Sequence, residues 1–172
     1  LLDDHSELPE CTYEVVEQLL QRGCRFVAAS GRRYDTLREY FGPVADRIDY
    51  VASNGAQVYS QGRLLSRDVF GYSGLSRLSA FIDQFDDMHL VVDDEKYCYL
   101  LDAGSFYTPE LDKDLPHPVE LDGLPDPAID IIKVCIYCDG RPMDASYVLS
   151  RELGDEYVFA PSGKQWIDVM QR

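Results

Sequence analysis

Two short apolar runs, residues 25–29 and 48–52, bracket a segment whose apolar residues (Tyr34, Leu37, Tyr40, Phe41) recur at helical spacing. Strand, helix, strand in that rhythm predicts a parallel strand pair, because parallel neighbours need a crossover that a helix supplies. A preceding helix is predicted over 9–22. Pro9 suits its first turn, Thr12, Val15, Val16, Leu19 and Leu20 form an apolar stripe, and Gly23 ends it. Gly42-Pro43 closes the helix predicted over 34–41.

The first run ends on Ser30-Gly31-Arg32 and the second on Ser53-Asn54-Gly55-Ala56. A strand that stops where a helix starts leaves free backbone N–H groups and a positive dipole end at one spot, which suits an anion. A serine hydroxyl and a glycine that lets backbone come close fit a phosphate oxygen there. The plainer readings stay open at this point. Ser30 could be a helix N-cap, Arg32 a surface arginine, and Asn54-Gly55 only a turn.

Beyond Gly55 the rhythm changes. Residues 56–60 and 63–67 flank Gln61-Gly62 as a predicted hairpin. An amphipathic helix is expected over 74–85 and a second hairpin over 89–93 and 97–101. A proline-rich loop follows through Pro109, Pro116, Pro118, Pro125 and Pro127. Then come a strand over 131–138, a helix over 142–153, and strands over 156–160 and 165–170. The fold class is thus α/β: a partial Rossmann-like parallel-sheet core over 1–66, plus an α+β unit with an antiparallel sheet over 67–172.

A chain of 172 residues can bury a sizeable core as one domain or two. Its net charge of −15, from 31 acidic against 16 basic side chains, argues against nucleic acid and anionic membrane as partners. No apolar run approaches the roughly 20 residues of a membrane span. The first residues lack a secretory signal and a starting methionine, so the natural N-terminus is expected to be missing or processed. Five cysteines at no framework spacing fit reduced thiols in the cytoplasm.

Other candidates read as structural. Adjacent Asp3-Asp4 on an extended chain point to opposite faces and are poorly placed to share an ion. Asp86-Asp87 and Asp93-Asp94-Glu95 read as helix-end and turn charges. Cys135-Ile136-Tyr137-Cys138 has C-x-x-C spacing, but within a strand its thiols face opposite sides. His5, His89 and His117 form no ligand spacing, and Lys133 reads as a lysine reaching out from a sheet edge. Neither a G-x-S-x-G elbow nor a P-loop is present.

Together these residues resemble the Cof-type branch of the haloacid dehalogenase-like phosphatases. Leu1-Leu2-Asp3-Asp4 is similar to the residues after that family's D-x-D-G-T loop, and Phe26 to Arg32 to its second motif. Ser53-Asn54-Gly55-Ala56 resembles the Asn-Gly-Ala closing the next core strand, and Ser162-Gly163-Lys164-Gln165-Trp166-Ile167-Asp168-Val169 the strand leading out of the cap. The resemblance implies a Mg²⁺-dependent hydrolase of small phosphorylated metabolites, sugar phosphates among them, working through an aspartyl-phosphate. It implies that Ser30, as a catalytic residue, binds a phosphoryl oxygen through its hydroxyl and Gly31 through its N–H. Asn54 and Gly55 then shape the adjacent substrate edge, and Arg32 binds or holds the loop. Residues 67–172 correspond to a substrate-selecting cap. The nucleophilic aspartate, its acid/base partner and the Mg²⁺ ligands are expected outside the chain, which alone should be inactive. The alternative is a non-catalytic phosphate-binding or regulatory domain. Either would be a monomer or homodimer.

Overall fold

A computed structural model describes residues 8–102, 115 and 117–172. The Leu1-Leu2-Asp3-Asp4 motif, His5 and the stretch holding Pro109 and Pro116 lie outside the described residues. The chain divides into two compact units, one ending at Asp68 and one beginning at Val69.

In the first unit, α1 (Cys11–Gln21) leads into β1 (Val27–Ala29), α2 (Tyr34–Phe41), a 3₁₀ turn over Gly42–Arg47, and β2 (Asp49–Ala52). β1 and β2 are parallel, with Val27 opposite Asp49 and Ala29 opposite Val51. A further 3₁₀ turn, Ser53–Gly55, leads to the hairpin β3 (Gln57–Ser60) and β4 (Arg63–Arg67), which extends the same sheet antiparallel in the order β1-β2-β3-β4. Gln61 and Gly62 take positive φ, the conformation that a tight hairpin turn requires. The core gathers Val16, Leu37, Phe41, Ile48 and Tyr50, and the Tyr50 hydroxyl donates to the Ala45 carbonyl at 3.0 Å. Among the described residues β1 is the outer strand: Ala28 is buried, whereas Val27 is 50% exposed.

The second unit holds α3 (Tyr72–Ile82), β5 (Met88–Asp93), β6 (Cys98–Leu101), β7 (Pro118–Leu121), β8 (Lys133–Cys138), α4 (Pro142–Leu153), β9 (Tyr157–Pro161) and β10 (Trp166–Gln171). Its sheet runs β7-β6-β5-β8-β10-β9. Strand alternation sorts the side chains. Leu90, Val92, Val134, Ile136 and Ile167 pack with Leu75 and Leu78 of α3 and Leu149 of α4, while Val91, Leu100, Cys135 and Tyr137 form a cluster on the other face.

The structure differs from the sequence expectation in three places. Part of the proline-rich loop is a strand: β7 begins at Pro118 and pairs parallel with β6. Proline is tolerated there because β7 is an edge and Pro118 is its first residue. Lys133 is not at an edge either, since β8 lies between β5 and β10. Its ammonium lies 3.6 Å from Asp168, only 20% exposed. Asp93, too, is 8% exposed and no solvated turn charge. Cys135 and Cys138 do face opposite sides, each buried in a different cluster. Among the described residues no helix is long and apolar enough to cross a membrane.

Candidate active site

Parallel pairing brings the carboxyl ends of β1 and β2 to the same sheet edge, so Ser30 and Ser53 are the first residues beyond adjacent strands. The Ser30 N–H donates to the Val51 carbonyl at 2.9 Å and prolongs the ladder. Past it, two loops are stitched together. The Ser53 N–H donates to the Arg32 carbonyl at 2.9 Å and the Asn54 N–H to the Ser30 carbonyl at 3.3 Å. Side chains fit as closely: a Cβ on Gly31 would lie 2.5 Å from Asn54 Oδ1. Gly31 is therefore required by contact, and the sequence-predicted residues Ser30, Gly31, Asn54 and Gly55 do meet at one sheet edge.

The conformation of the second loop is unusual. Ser53, Asn54 and Gly55 have φ of 49°, 58° and 98° in succession. Only Gly55 reaches this left-handed region without a steric penalty, which for other residues is about 1–2 kcal/mol each. Such strain, when observed, clusters at functional sites.

The helix-cap reading of Ser30 is overturned. α2 starts at Tyr34 with Arg33 in the cap position, and Ser30 Oγ instead accepts the Arg32 N–H at 3.2 Å. The junction is a local turn, with the helix N-terminus several residues on. Arg32 is exposed, and its guanidinium carbon sits 5.2 Å over the Tyr40 ring, a cation–π contact that holds it beside the loop. Its neighbour Arg33 is 5% exposed and reaches Asp35 through Nε at 3.2 Å and Nη2 at 3.1 Å. Burial raises the Asp35 carboxyl, but Arg33 and the Thr36 N–H outweigh it and hold it below its ordinary value. Arg33 thus spends its charge inside the fold, leaving Arg32 as the guanidinium at this edge that faces solvent.

Sequence reading passed over Tyr40, Arg33 and Ser53 as contributors. Ser53 is 3% exposed, and among the described residues its Oγ has no hydrogen-bond partner. The only available signal was its place before Asn-Gly, which announces a turn without saying that three residues would be left-handed.

A cavity of about 180 Å³ opens on this side of β1, lined by Ala29, Ser30, Arg32 and Tyr40 above Leu37 and Phe41. A larger one, about 480 Å³, lies in the second unit between α3 and the sheet edge. Asp83, Asp86 and Asp102 line it, a rim that repels phosphate. The donors around Ser30 are hydroxyl, amide, guanidinium and backbone N–H groups, which suit an anion. They do not fit Mg²⁺, which takes carboxylate oxygens. Among the described residues no group of three His, Cys, Asp or Glu could hold a metal.

The model of the haloacid dehalogenase-like hydrolase family matches residues 1–172, and the chain belongs to that family. Over 59 residues it is 41% identical to the 5-amino-6-(5-phospho-D-ribitylamino)uracil phosphatase YbjI of Escherichia coli, covering 31% of this chain and 22% of that protein. Its fold is similar to that of SMU.1108c from Streptococcus mutans, with a TM-score of 0.84 and 20% identity over 99% of this chain and 66% of that one. It is also similar to the haloacid dehalogenase subclass IIB sugar phosphatase BT4131, with a TM-score of 0.74 and 14% identity over 100% and 66% of the two chains. The chain therefore spans about two thirds of the length of these solved structures, and the matched segment less than a quarter of the curated relative.

Proposed function

We propose that the chain is the phosphoryl-binding and substrate-selecting part of a phosphatase that hydrolyses small phosphorylated metabolites, sugar phosphates among them. The observation that carries this reading is the stitched pair of strand ends, where Ser30, Gly31 and Asn54 meet with no carboxylate among them. In this reading the Ser30 hydroxyl donates to a phosphoryl oxygen, Gly31 adds its backbone N–H, and Arg32 supplies charge at the rim. Asn54 and Gly55 shape the neighbouring substrate edge. Ser30 is tied to the end of the sheet by its N–H bond to Val51, so the Ser30 and Gly31 donors need little reorganisation as charge develops, which is how such groups lower a barrier.

The aspartyl-phosphate chemistry and its Mg²⁺ belong, in this reading, to the intact protein. The residues around Ser30 offer the ion no ligand set. The unit beginning near residue 67 selects the leaving group, and the 172-residue chain alone does not turn over.

Phosphate release by the intact protein tests this. Ser30→Ala should lower kcat by roughly 10²-fold, the scale of one lost oxyanion donor. Thermal stability should shift little, because Ser30 Oγ makes only a local turn bond. An unchanged rate removes Ser30 from the site.

A further inference from the structure

Ser53 presents a contradiction within an otherwise satisfied fold. Its side chain is buried at 3% exposure, its φ of 49° lies in the left-handed region, and its Oγ is without a hydrogen-bond partner among the described residues. Stability alone would replace it. Alanine would remove the orphaned hydroxyl, and glycine would relieve the backbone. Yet Ser53 is anchored to the candidate site from two sides. Its N–H holds the Arg32 carbonyl, and the next residue, Asn54, both binds the Ser30 carbonyl and lies against Gly31.

We propose that Ser53 is a positioning residue for the phosphoryl pocket, whose hydroxyl gains its missing hydrogen bond when the 53–55 turn settles around an anion held by Ser30 and Gly31. The inference rests on the phosphate-binding reading above and adds to it a residue that touches no ligand directly. The hydroxyl is sealed from solvent. Its effect therefore travels through the turn. Binding then moves the Asn54 segment against Gly31 and brings the Ser53 hydroxyl its acceptor. The free energy recovered there adds to the affinity for the anion.

The test uses the 172-residue chain and inorganic phosphate, followed by amide NMR at Gly31 and Asn54, beside thermal unfolding without phosphate. Ser53→Ala should raise Tm by about 2–4 °C, as expected when a buried orphan is removed from a chain of this size. The same variant should weaken phosphate binding about fivefold, the equivalent of one ordinary hydrogen bond. A merely structural serine would move both in the destabilising direction or leave binding alone. A lowered Tm overturns the proposal by showing that the hydroxyl is already satisfied. If Ser30→Ala weakens phosphate binding and Ser53→Ala does not, this inference falls while the phosphate reading stands. If phosphate leaves the Gly31 and Asn54 amides of the unmutated chain unmoved, the phosphate reading falls and this inference with it.

Discussion

Each unit buries polar side chains beside its sheet, but on different terms. In the second, Asp168 on β10 accepts the Cys135 thiol at 3.1 Å and lies 3.6 Å from the Lys133 ammonium. Burial pushes the Cys135 thiol up, and the thiol stays a donor to that carboxylate. Beside them, Asp94 accepts the Lys96 and Tyr97 N–H groups and the Tyr99 hydroxyl. In the first unit, Ser53 is more deeply buried, at 3% exposure, its Oγ has no hydrogen-bond partner among the described residues, and it sits on strained backbone. The difference separates two uses of polarity. A closed network holds its polar groups in one arrangement, whereas an unpartnered hydroxyl on a strained turn is the kind of feature that clusters at functional sites.

Breaking the closed network should have the largest effect. Asp168→Ala leaves a lysine that is only 20% exposed with Asp93 as a weaker counter-charge, and urea unfolding should show a loss of about 2 kcal/mol. Replacing Lys133 and Asp168 together by methionine and leucine should restore most of it, since a well-packed apolar pair replaces such ion pairs at little cost. A double variant no better than the single would mean that packing, and not the stranded charge, sets the loss.

The open site should respond to bulk. Gly31 lies in no left-handed conformation, so Gly31→Ala is penalised only through the clash with Asn54 Oδ1. Chemical denaturation should report about 1–2 kcal/mol of destabilisation, falling below about 0.5 kcal/mol in an Asn54→Ala background. Equal penalties in both backgrounds would break the coupling drawn between the two loops.

The smallest effect is electrostatic and belongs to the second unit. Burial holds the His89 imidazole below its ordinary value, although Asp139, Asp87 and Asp102 pull the other way. The unfolded chain then binds the proton more readily. His89 contributes stability that is complete above about pH 6.5 and declines as pH falls toward its depressed folded value. His89→Gln should flatten that limb of the stability profile. An unchanged slope in the variant would assign the limb to carboxylates.

Much of this architecture was legible where local signals agreed. Gly42-Pro43 and Pro142 bounded α2 and α4, and the spacing of Tyr34, Leu37 and Phe41 fixed the helix between two strands. β7 escaped because three prolines within 116–125 outweigh four residues of strand, and its partner β6 could not be read from local sequence. Lys133 was misplaced because the sequence does not state strand order, and only the order puts β8 in the middle. At the site, residue types revealed Ser30, Gly31 and Asn54. The burial of Ser53 and Arg33 depends on what packs over them, a property of tertiary structure that no spacing encodes.

The division of the cysteines has a practical consequence. Cys11 and Cys24 are exposed in the first unit, and Cys98, Cys135 and Cys138 are buried in the second. A thiol reagent applied to the native chain labels the first pair at once. The remaining three take label only as the six-stranded sheet opens. The protein thus carries its own clock for the unfolding of one unit, readable by mass without any engineered probe.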